Sequence, residues 1–295
     1  MRRPSLLLAS GALTLAAAAC APANDASTTA SSSAGTSAGA STGADACAKE
    51  SLKLTTPGKL TIGTDKPAYE PWFKNDDPSS GQGFESAVAY AVAGQLGFTR
   101  DEVAWTVVPF DSSFAPGPKQ FDFDVNQISI TPERAKAVDF SQGYYTVKQG
   151  VVALEGGKYA SATSLADLKD AKIGVQAATT ALQAVQAVIQ PVKDPSVFNQ
   201  QVDAITALKN KQIDAIVVDL PTAFYVTAAQ VKGSKIVGQF AATGGEPEEF
   251  GLLFQKGSSL VSCVDKALGE LRSSGELAKI EGEWLTAAAG APELK

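Results

Sequence analysis

The chain has 295 residues, a formal net charge of −6 at pH 7, 19% charged residues, three cysteines and no histidine. The absence of histidine excludes His-based catalytic triads and most metal sites, so we predict neither a metal nor a cofactor. An acidic chain without a basic cluster argues against nucleic acids and anionic lipids as partners.

The first twenty residues have the features of an export signal. Arg2 and Arg3 form a basic start, Leu6–Leu15 is an apolar core that is short for a membrane span, and small residues precede Cys20. A cysteine in this position resembles a lipobox. We therefore predict a signal peptide over residues 1–19 and a diacylated Cys20, which holds the protein on the extracytoplasmic face of the cell membrane. A plain secretory signal is the alternative.

A low-complexity segment follows. Residues 21–46 are almost entirely Ala, Ser, Thr and Gly and cannot bury a core, so we predict a flexible tether over 20–49. With Cys20 lipidated, Cys47 and Cys263 remain as an even pair in an oxidising compartment. The sequence predicts a disulfide between them, and two free buried thiols are the alternative.

Strand-like and helix-like segments alternate after residue 50, which indicates βαβ units and mostly parallel sheets in an α/β fold. The strand-like runs are 59–64, 103–110, 121–128, 148–154, 172–176, 213–218, 235–240 and 250–255. The predicted helices are 83–97, 180–190, 201–210, 260–271 and 276–288, with a further helix start at Ser164.

Polar residues stand where several predicted strands end. They are Asp65, Gln127, Ser129, Thr179 and Asp219. Ligands of open α/β sheets bind beyond the carboxyl ends of the strands. The sequence therefore predicts that these side chains lie around one binding cleft.

A second feature follows the strand that ends near Ser129. Thr131 suits a helix cap, Pro132 suits the first helical position, and Arg134 then falls in the first turn. A cation there opposes the helix dipole unless an anion binds the same N-terminus. A carboxylate is the simplest such anion, since Arg can bind it with two parallel hydrogen bonds. The alternative is a solvated Arg in an exposed turn.

Residues 125–145 also carry a family resemblance. Their order of T-P-E-R, then V-D-F-S and an aromatic pair resembles the polar amino-acid solute-binding proteins of bacterial ABC importers, solute-binding family 3. The matching residues are Thr131, Pro132, Glu133, Arg134, Val138, Asp139, Phe140, Ser141, Tyr144 and Tyr145. The resemblance implies a two-lobed, periplasmic-binding-protein-like (type II) fold with two hinge strands. Lobe 1 would comprise 50–147 plus 243–290, and lobe 2 would comprise 148–242.

The resemblance also assigns the head group of an amino-acid ligand. Arg134 would pair with the α-carboxylate, assisted by backbone N–H groups of Thr179 and Thr180. Asp219 would bind the α-ammonium. From the residues alone, a cap for the helix that begins at Pro221 is an equally good interpretation of Asp219. Ser129 would contact the amino or carboxylate group. Ala178 stands where the family has Gly, which matters if the position needs a positive φ.

Other family positions concern the ligand side chain. Tyr69 and Phe110 match aromatics that enclose it, but Tyr69 lies one residue further from Asp65 than usual, so Trp72 or Lys66 are alternatives. Without the resemblance, Phe110 would be interpreted as a core residue at a strand end and Tyr69 as an aromatic residue of a loop.

Two departures and an acidic cluster complete the comparison with the family. Gln127 replaces the commonest Gly or Ser, and an Asn-Gln pair occurs in some cystine-binding members. The prolines in 114–118 predict a short or absent helix. The cluster of Glu246, Glu248 and Glu249 is interpreted as a solvated loop.

The resulting functional prediction is a monomeric, lipid-anchored binding protein that captures a polar amino acid (glutamine, glutamate, cystine or a basic one) and delivers it to an ABC permease. The first alternative is an enzyme on the same scaffold. Asp65 would be its only evident general acid or base, so we predict no enzymatic activity. The second alternative is a ligand-sensing ectodomain.

Overall fold

The computed structural model describes residues 45–242, 247–285 and 290–295. The predicted signal peptide, Cys20 and most of the predicted tether lie outside these ranges. Within them, no helix is both long enough and apolar enough to span a membrane.

The described ranges contain twelve strands and seven α-helices. The strands are β1 (Leu60–Thr64), β2 (Val103–Val107), β3 (Phe123–Asp124), β4 (Val138–Phe140), β5 (Tyr145–Val147), β6 (Gln149–Leu154), β7 (Ile173–Gln176), β8 (Ser196–Phe198), β9 (Ala215–Asp219), β10 (Ser234–Phe240), β11 (Glu248–Phe250) and β12 (Leu253–Gln255). The helices are α1 (Phe84–Gln95), α2 (Phe110–Ser113), α3 (Thr180–Ala184), α4 (Gln201–Lys209), α5 (Leu220–Tyr225), α6 (Val261–Ser273) and α7 (Glu276–Trp284). Helices α3 and α5 each continue into one π-helical segment, Val185–Ile189 and Val226–Gln230.

The first lobe is built on a five-stranded sheet in the order β2-β1-β3-β12-β4. Strands β2, β1 and β3 are parallel, whereas β12 runs antiparallel to both of its neighbours. All five residues of β1 are buried, as expected for a central strand covered on both faces. Because β2, β1 and β3 run parallel, their carboxyl ends lie together at one edge of this sheet.

Helices α1, α6 and α7 pack against one another in the first lobe. In α1, Phe84, Val88 and Val92 recur at helical spacing and are fully buried. Gly97 takes φ +84 just after this helix, a left-handed conformation that favours Gly and ends helices. Cys263 of α6 forms a disulfide with Cys47, so the predicted pairing is present and joins α6 to the first described segment.

The second lobe contains a sheet in the order β10-β6-β9-β7-β8. Strands β9, β7 and β8 are parallel, and β6 runs antiparallel to β9 and β10. The prediction of parallel pairing thus holds for three neighbouring strands in each sheet, and both sheets are mixed. Helices α3, α4 and α5 contact this sheet. Their apolar sides meet it in two buried clusters, one containing Val185 and the other containing Leu208.

Two strands connect the lobes. Strand β5 precedes β6 of the second sheet, β11 precedes β12 of the first, and the two pair antiparallel in a sheet of their own. They are the predicted hinge strands. The strands of the two sheets come from 60–140 with 253–255 and from 149–240, and the finer lobe boundaries predicted from the sequence stay a prediction.

Several predicted elements are shorter than expected. The strand predicted at 121–128 keeps only β3, because the backbone leaves the sheet before Ser129. The helix predicted after Thr131 is a single 3₁₀ turn, Arg134–Lys136, because β4 begins at Val138. Phe110 begins the four-residue α2, in keeping with the short helix expected near residue 114. Strands β4 and β8 were not predicted, and β5 and β11 were predicted only as hinge strands without bounds.

Candidate functional site

The carboxyl ends of β1, β3, β7 and β9 surround a cavity between the two lobes. Residues from both sheets line it. They are Asp65, Tyr69, Phe110, Asn126, Gln127, Ser129, Gln176, Thr179, Thr180, Ala181, Gln201, Val217, Val218 and Asp219. Eight of the nine residues predicted to bind a ligand are among them, and the ninth, Arg134, lies directly behind Ser129. Their roles in binding stay predictions.

Arg134 is buried, with 8% of its surface exposed, so the alternative of a solvated Arg is wrong. Its Nη1 donates to the carbonyl of Ser129 at 2.7 Å, and its Nη2 donates to the carbonyl of Ala178 in the second lobe at 3.0 Å. Its guanidinium carbon stands 4.5 Å from the ring centre of Phe114 and 5.5 Å from that of Phe110. These partners fix the plane of the guanidinium.

Burial lowers the pKa of Arg134 to about 10, and the nearby carboxylates of Glu248 and Asp219 counteract this effect. The side chain therefore keeps its positive charge at neutral pH. Thr131 contributes to its placement, since its Oγ1 accepts a hydrogen bond from the Arg134 backbone N–H at 3.2 Å. The predicted capping role of Thr131 survives, although the capped element is only one turn.

The segment between β7 and α3 approaches Arg134 from the second lobe. Ala178 has φ +61, so the position does require the left-handed conformation that Gly adopts without strain. Thr179 caps α3, because its Oγ1 accepts from the Leu182 N–H at 3.1 Å. Thr180 faces the first lobe, with its Oγ1 3.3 Å from the Ser129 Oγ. Thr179 thus caps the helix, and both threonines line the cavity.

Asp219 ends β9 and stands in the capping position of α5, but its side chain makes no capping hydrogen bond. Its Oδ1 accepts instead from Nε2 of Gln149 at 3.0 Å. Burial and the carboxylate of Glu248 raise the pKa of Asp219 to about 8, with a smaller contribution from Glu85. A cation placed beside Asp219 would favour its ionised form.

The remaining predicted residues surround another part of the cavity. Asp65 is 7% exposed and accepts from the Lys66 N–H at 2.7 Å, and burial raises the pKa of its carboxyl group. Phe110 packs edge-on against Phe114. Tyr69 lines the cavity, whereas Lys66 is exposed.

Trp72, the other alternative to Tyr69, is fully buried in the first-lobe core. Its Nε1 donates to Thr222 Oγ1 of the second lobe at 2.9 Å. It therefore forms a contact between the lobes rather than part of the cavity wall.

Hydrogen bonds to Glu85 hold Gln127 in place. It has φ +48, and its N–H donates to Oε1 of the fully buried Glu85 at 2.6 Å. The Gln127 amide and the Tyr144 hydroxyl donate to the same carboxylate. Burial raises the pKa of Glu85 to about 7. Glu85 was not predicted, because a carboxylate in the first turn of a helix ordinarily reads as a favourable match to the helix dipole.

Glu248 corrects the interpretation of the acidic cluster as a solvated loop. It lies on β11, where pairing with β5 turns its half-buried side chain toward the cleft, and it accepts from Ser129 Oγ at 2.5 Å. Glu249 next to it is exposed, and Glu246 lies outside the described residues. Gln149 was also missed, and it donates to both Glu248 and Asp219. No cluster of three or more potential metal ligands occurs in the part of the chain that the structure describes.

The sequence matches the bacterial extracellular solute-binding proteins, family 3, over residues 60–287. It is 30% identical over 237 residues to the arginine-binding extracellular protein ArtP of Bacillus subtilis, covering 77% of this chain and 86% of that protein. It is 32% identical over 224 residues to a probable histidine-binding protein of Campylobacter jejuni, covering 73% and 80%.

Among solved structures, the arginine-, lysine-, histidine-binding protein ArtJ of Geobacillus stearothermophilus superposes with a TM-score of 0.66. The two sequences are 27% identical, and the match covers 77% of this chain and 95% of that one. This likeness confirms the predicted two-lobed, periplasmic-binding-protein-like fold.

Proposed function

The chain belongs to family 3 of the bacterial extracellular solute-binding proteins, and from this membership we propose that it captures an α-amino acid between its lobes and delivers it to an ABC permease. The observation that carries the proposal is the cavity, into which both sheets turn their polar strand ends. Closure of the lobes around the ligand would present a form that the permease recognises. Only contacts made in the closed form can stabilise it.

The head group of the ligand would be bound by groups of opposite charge. Arg134 has donated to two backbone carbonyls and retains further N–H groups for an α-carboxylate. Thr179 is the N-cap of α3, so the backbone N–H groups of Thr180 and Ala181 in its first turn, rather than the predicted pair Thr179 and Thr180, would add donors from the second lobe. Asp219 would take the α-ammonium, whose charge favours the ionised carboxylate.

The charges that remain favour a cationic side chain. The cavity wall carries the carboxyl groups of Asp65 and Asp219, the Glu248 carboxylate lies beside it, and Arg134 is a cation close to Asp219 and Glu248. Once Arg134 binds the α-carboxylate and Asp219 the α-ammonium, the buried Asp65 is left to be neutralised. A ligand such as arginine would supply that cation. Glutamate would add a negative charge beside Asp65, glutamine would leave it uncompensated, and cystine would bring a second carboxylate together with its second ammonium group.

A thermal-shift screen against the twenty amino acids and cystine tests this proposal, with calorimetry on the best ligands. We expect the largest shift with arginine, since a ligand at 100 times its dissociation constant stabilises the folded state by about 2.7 kcal/mol. If no amino acid raises the melting temperature, the proposed function is wrong. If glutamate exceeds arginine, the charge argument is wrong and amino-acid capture stands.

We also propose that the protein is a monomer without enzymatic activity. The site offers binding groups on both lobes, and hydrogen bonds connect Ser129, Glu248, Gln149 and Asp219 to one another. Incubation of the protein with the bound amino acid, followed by chromatography of the small molecules, should return the amino acid unchanged. Formation of a product would favour an enzyme instead.

Attachment to the membrane through a diacylated Cys20 completes the proposal. The small residues before Cys20 and the low-complexity segment after it support this arrangement. Metabolic labelling with a palmitate analogue should mark the wild-type protein and not Cys20→Ala. Labelling of both proteins would contradict the anchor while leaving the binding site untouched.

A further inference from the structure

Glu248 stands on one of the two strands that connect the lobes. It is opposite Val147 in the β5–β11 pair. Its Oε1 accepts from Ser129 Oγ at 2.5 Å, and its Oε2 accepts from Gln149 Nε2 at 3.2 Å. Ser129 follows a strand of the first lobe, whereas Gln149 begins β6 of the second lobe. One hinge carboxylate therefore connects polar groups of both lobes.

Gln149 extends this connection to Asp219. Its side chain is fully buried, and its Nε2 donates to Asp219 Oδ1 at 3.0 Å as well as to Glu248. The amide nitrogen faces both carboxyl groups, since the amide oxygen would be repelled by the Glu248 carboxylate. The Gln149 Oε1 is buried without a hydrogen-bond partner among the described residues. The order of contacts is thus Ser129, Glu248, Gln149, Asp219.

The charges around Asp219 make Glu248 more than a structural link. Glu248 on β11 and Glu85 on α1 both disfavour the ionised form of Asp219, whereas the Gln149 hydrogen bond and Arg134 favour it. Among the charged neighbours, Glu248 has the largest effect. An ammonium group that arrives beside Asp219 would meet two neighbouring carboxylates.

We propose that Glu248 is a positioning residue of the amino-acid site: it joins Ser129 to Gln149 and Asp219 across the hinge and thereby sets both the geometry and the charge of the subsite for the α-ammonium. This inference rests on the proposed function, since the subsite is the one assigned there to the ligand. Glu248 acts through Gln149 and Asp219 and is not itself in the cavity wall.

The test compares Glu248→Gln with Glu249→Gln. Both variants remove one negative charge from the same strand, but Glu249 is exposed. The first measurement uses the ligand-free protein and follows the Asp219 carboxyl carbon by NMR, assigned with Asp219→Asn. Removal of a neighbouring like charge should lower the midpoint of the Asp219 titration by about 1–2 pH units in Glu248→Gln and leave it unchanged in Glu249→Gln. An unchanged midpoint in Glu248→Gln overturns the proposal.

The second measurement is calorimetry with L-arginine at pH 6 and pH 9. At pH 9, where Asp219 is ionised in both proteins, Glu248→Gln should bind about tenfold more weakly than wild type, because the orienting contact is weakened. At pH 6 the loss of affinity in Glu248→Gln relative to the wild type should be about twofold or absent. The reason is that Asp219 gives up its proton more readily in this variant than in the wild type. The same fractional loss at both pH values would mean a purely structural role and would overturn the proposal.

The two measurements separate this inference from the proposed function. Failure of the wild type to bind any amino acid in the screen contradicts the proposed function, whereas the ligand-free titration still decides whether Glu248 controls Asp219. If the wild type binds an amino acid and Glu248→Gln does not differ from Glu249→Gln, only the proposed role of Glu248 is rejected.

Discussion

Arg134 and Asp219 are the two charged groups that we assign to the ligand head group, and different partners hold them. Arg134 is fixed by two backbone carbonyls and by Phe114. Asp219 is fixed by a side chain, Gln149, and is surrounded by other carboxylates. Backbone carbonyls do not titrate, so the Arg134 end is charged and oriented before the ligand arrives. The Asp219 end acquires its charge only when a proton leaves.

The largest expected effect tests the Arg134 end. Arg134→Ala should weaken amino-acid binding by roughly 100-fold or more, the scale expected when one partner of a buried ion pair is removed. Calorimetry measures the loss, and Arg134→Lys should restore only part of it, because Lys cannot make the bidentate contact. Lys136→Ala is the control, since Lys136 is exposed two residues away. Unaltered affinity in Arg134→Ala would refute the assignment.

The next effect tests the Asp219 end through pH. Because the pKa of Asp219 is raised to about 8, affinity for an amino acid should increase from pH 6 to pH 9 as the carboxyl group ionises before binding. Asp219→Asn should bind roughly 10–100-fold more weakly at pH 9 and lose this increase. Asp194→Asn, an exposed position in the same lobe, should behave like the wild type.

The stability of the ligand-free protein should change in the opposite direction. A carboxyl group with a raised pKa binds more protons in the folded state than in the unfolded state, so the folded state loses stability as pH rises from about 4 to about 8. Thermal unfolding of Asp219→Asn should show a weaker decline than the wild type over that range. An equal decline in both proteins would mean that Asp219 has an ordinary pKa.

The sequence predicted both Arg134 and Asp219, but it did not predict the side chains that surround Asp219. Asp65, Thr179 and Asp219 were predicted because strand ends can be recognised locally, and Arg134 because its turn carries a specific motif. Glu248 was not, because its role depends on β5 pairing with β11 about a hundred residues later. Gln149 was not, because it lies opposite Asp219 only through the pairing of β6 with β9. A run of glutamates gives no local sign of such pairing. The shortened β3 and the 3₁₀ turn at Arg134 were missed for a related reason, since tertiary contacts limited them.

A smaller effect tests Glu85, the buried carboxylate that accepts hydrogen bonds from Gln127. Glu85→Gln keeps one acceptor but cannot serve both donors of Gln127 and the Tyr144 hydroxyl. We expect affinity to fall by about 3–10-fold at pH 8.5, the equivalent of one neutral hydrogen bond. The loss should be smaller at pH 6, where the wild-type Glu85, with its pKa of about 7, is itself mostly protonated. Glu283→Gln, exposed on α7, should leave affinity unchanged at either pH.

The smallest effect concerns Ala178, whose carbonyl holds Arg134 from the second lobe. A non-Gly residue in the left-handed conformation costs about 1–2 kcal/mol, and a Gly there loses about 0.5–1 kcal/mol through chain entropy. Ala178→Gly should therefore raise the free energy of unfolding by up to about 1 kcal/mol, measurable by urea denaturation. Ala177→Gly, where φ is not positive, should lower it. Affinity should stay within about twofold of wild type, since the carbonyl that contacts Arg134 belongs to the backbone. A clear loss of affinity in Ala178→Gly would show that the Arg134 end depends on side chains, as the Asp219 end does.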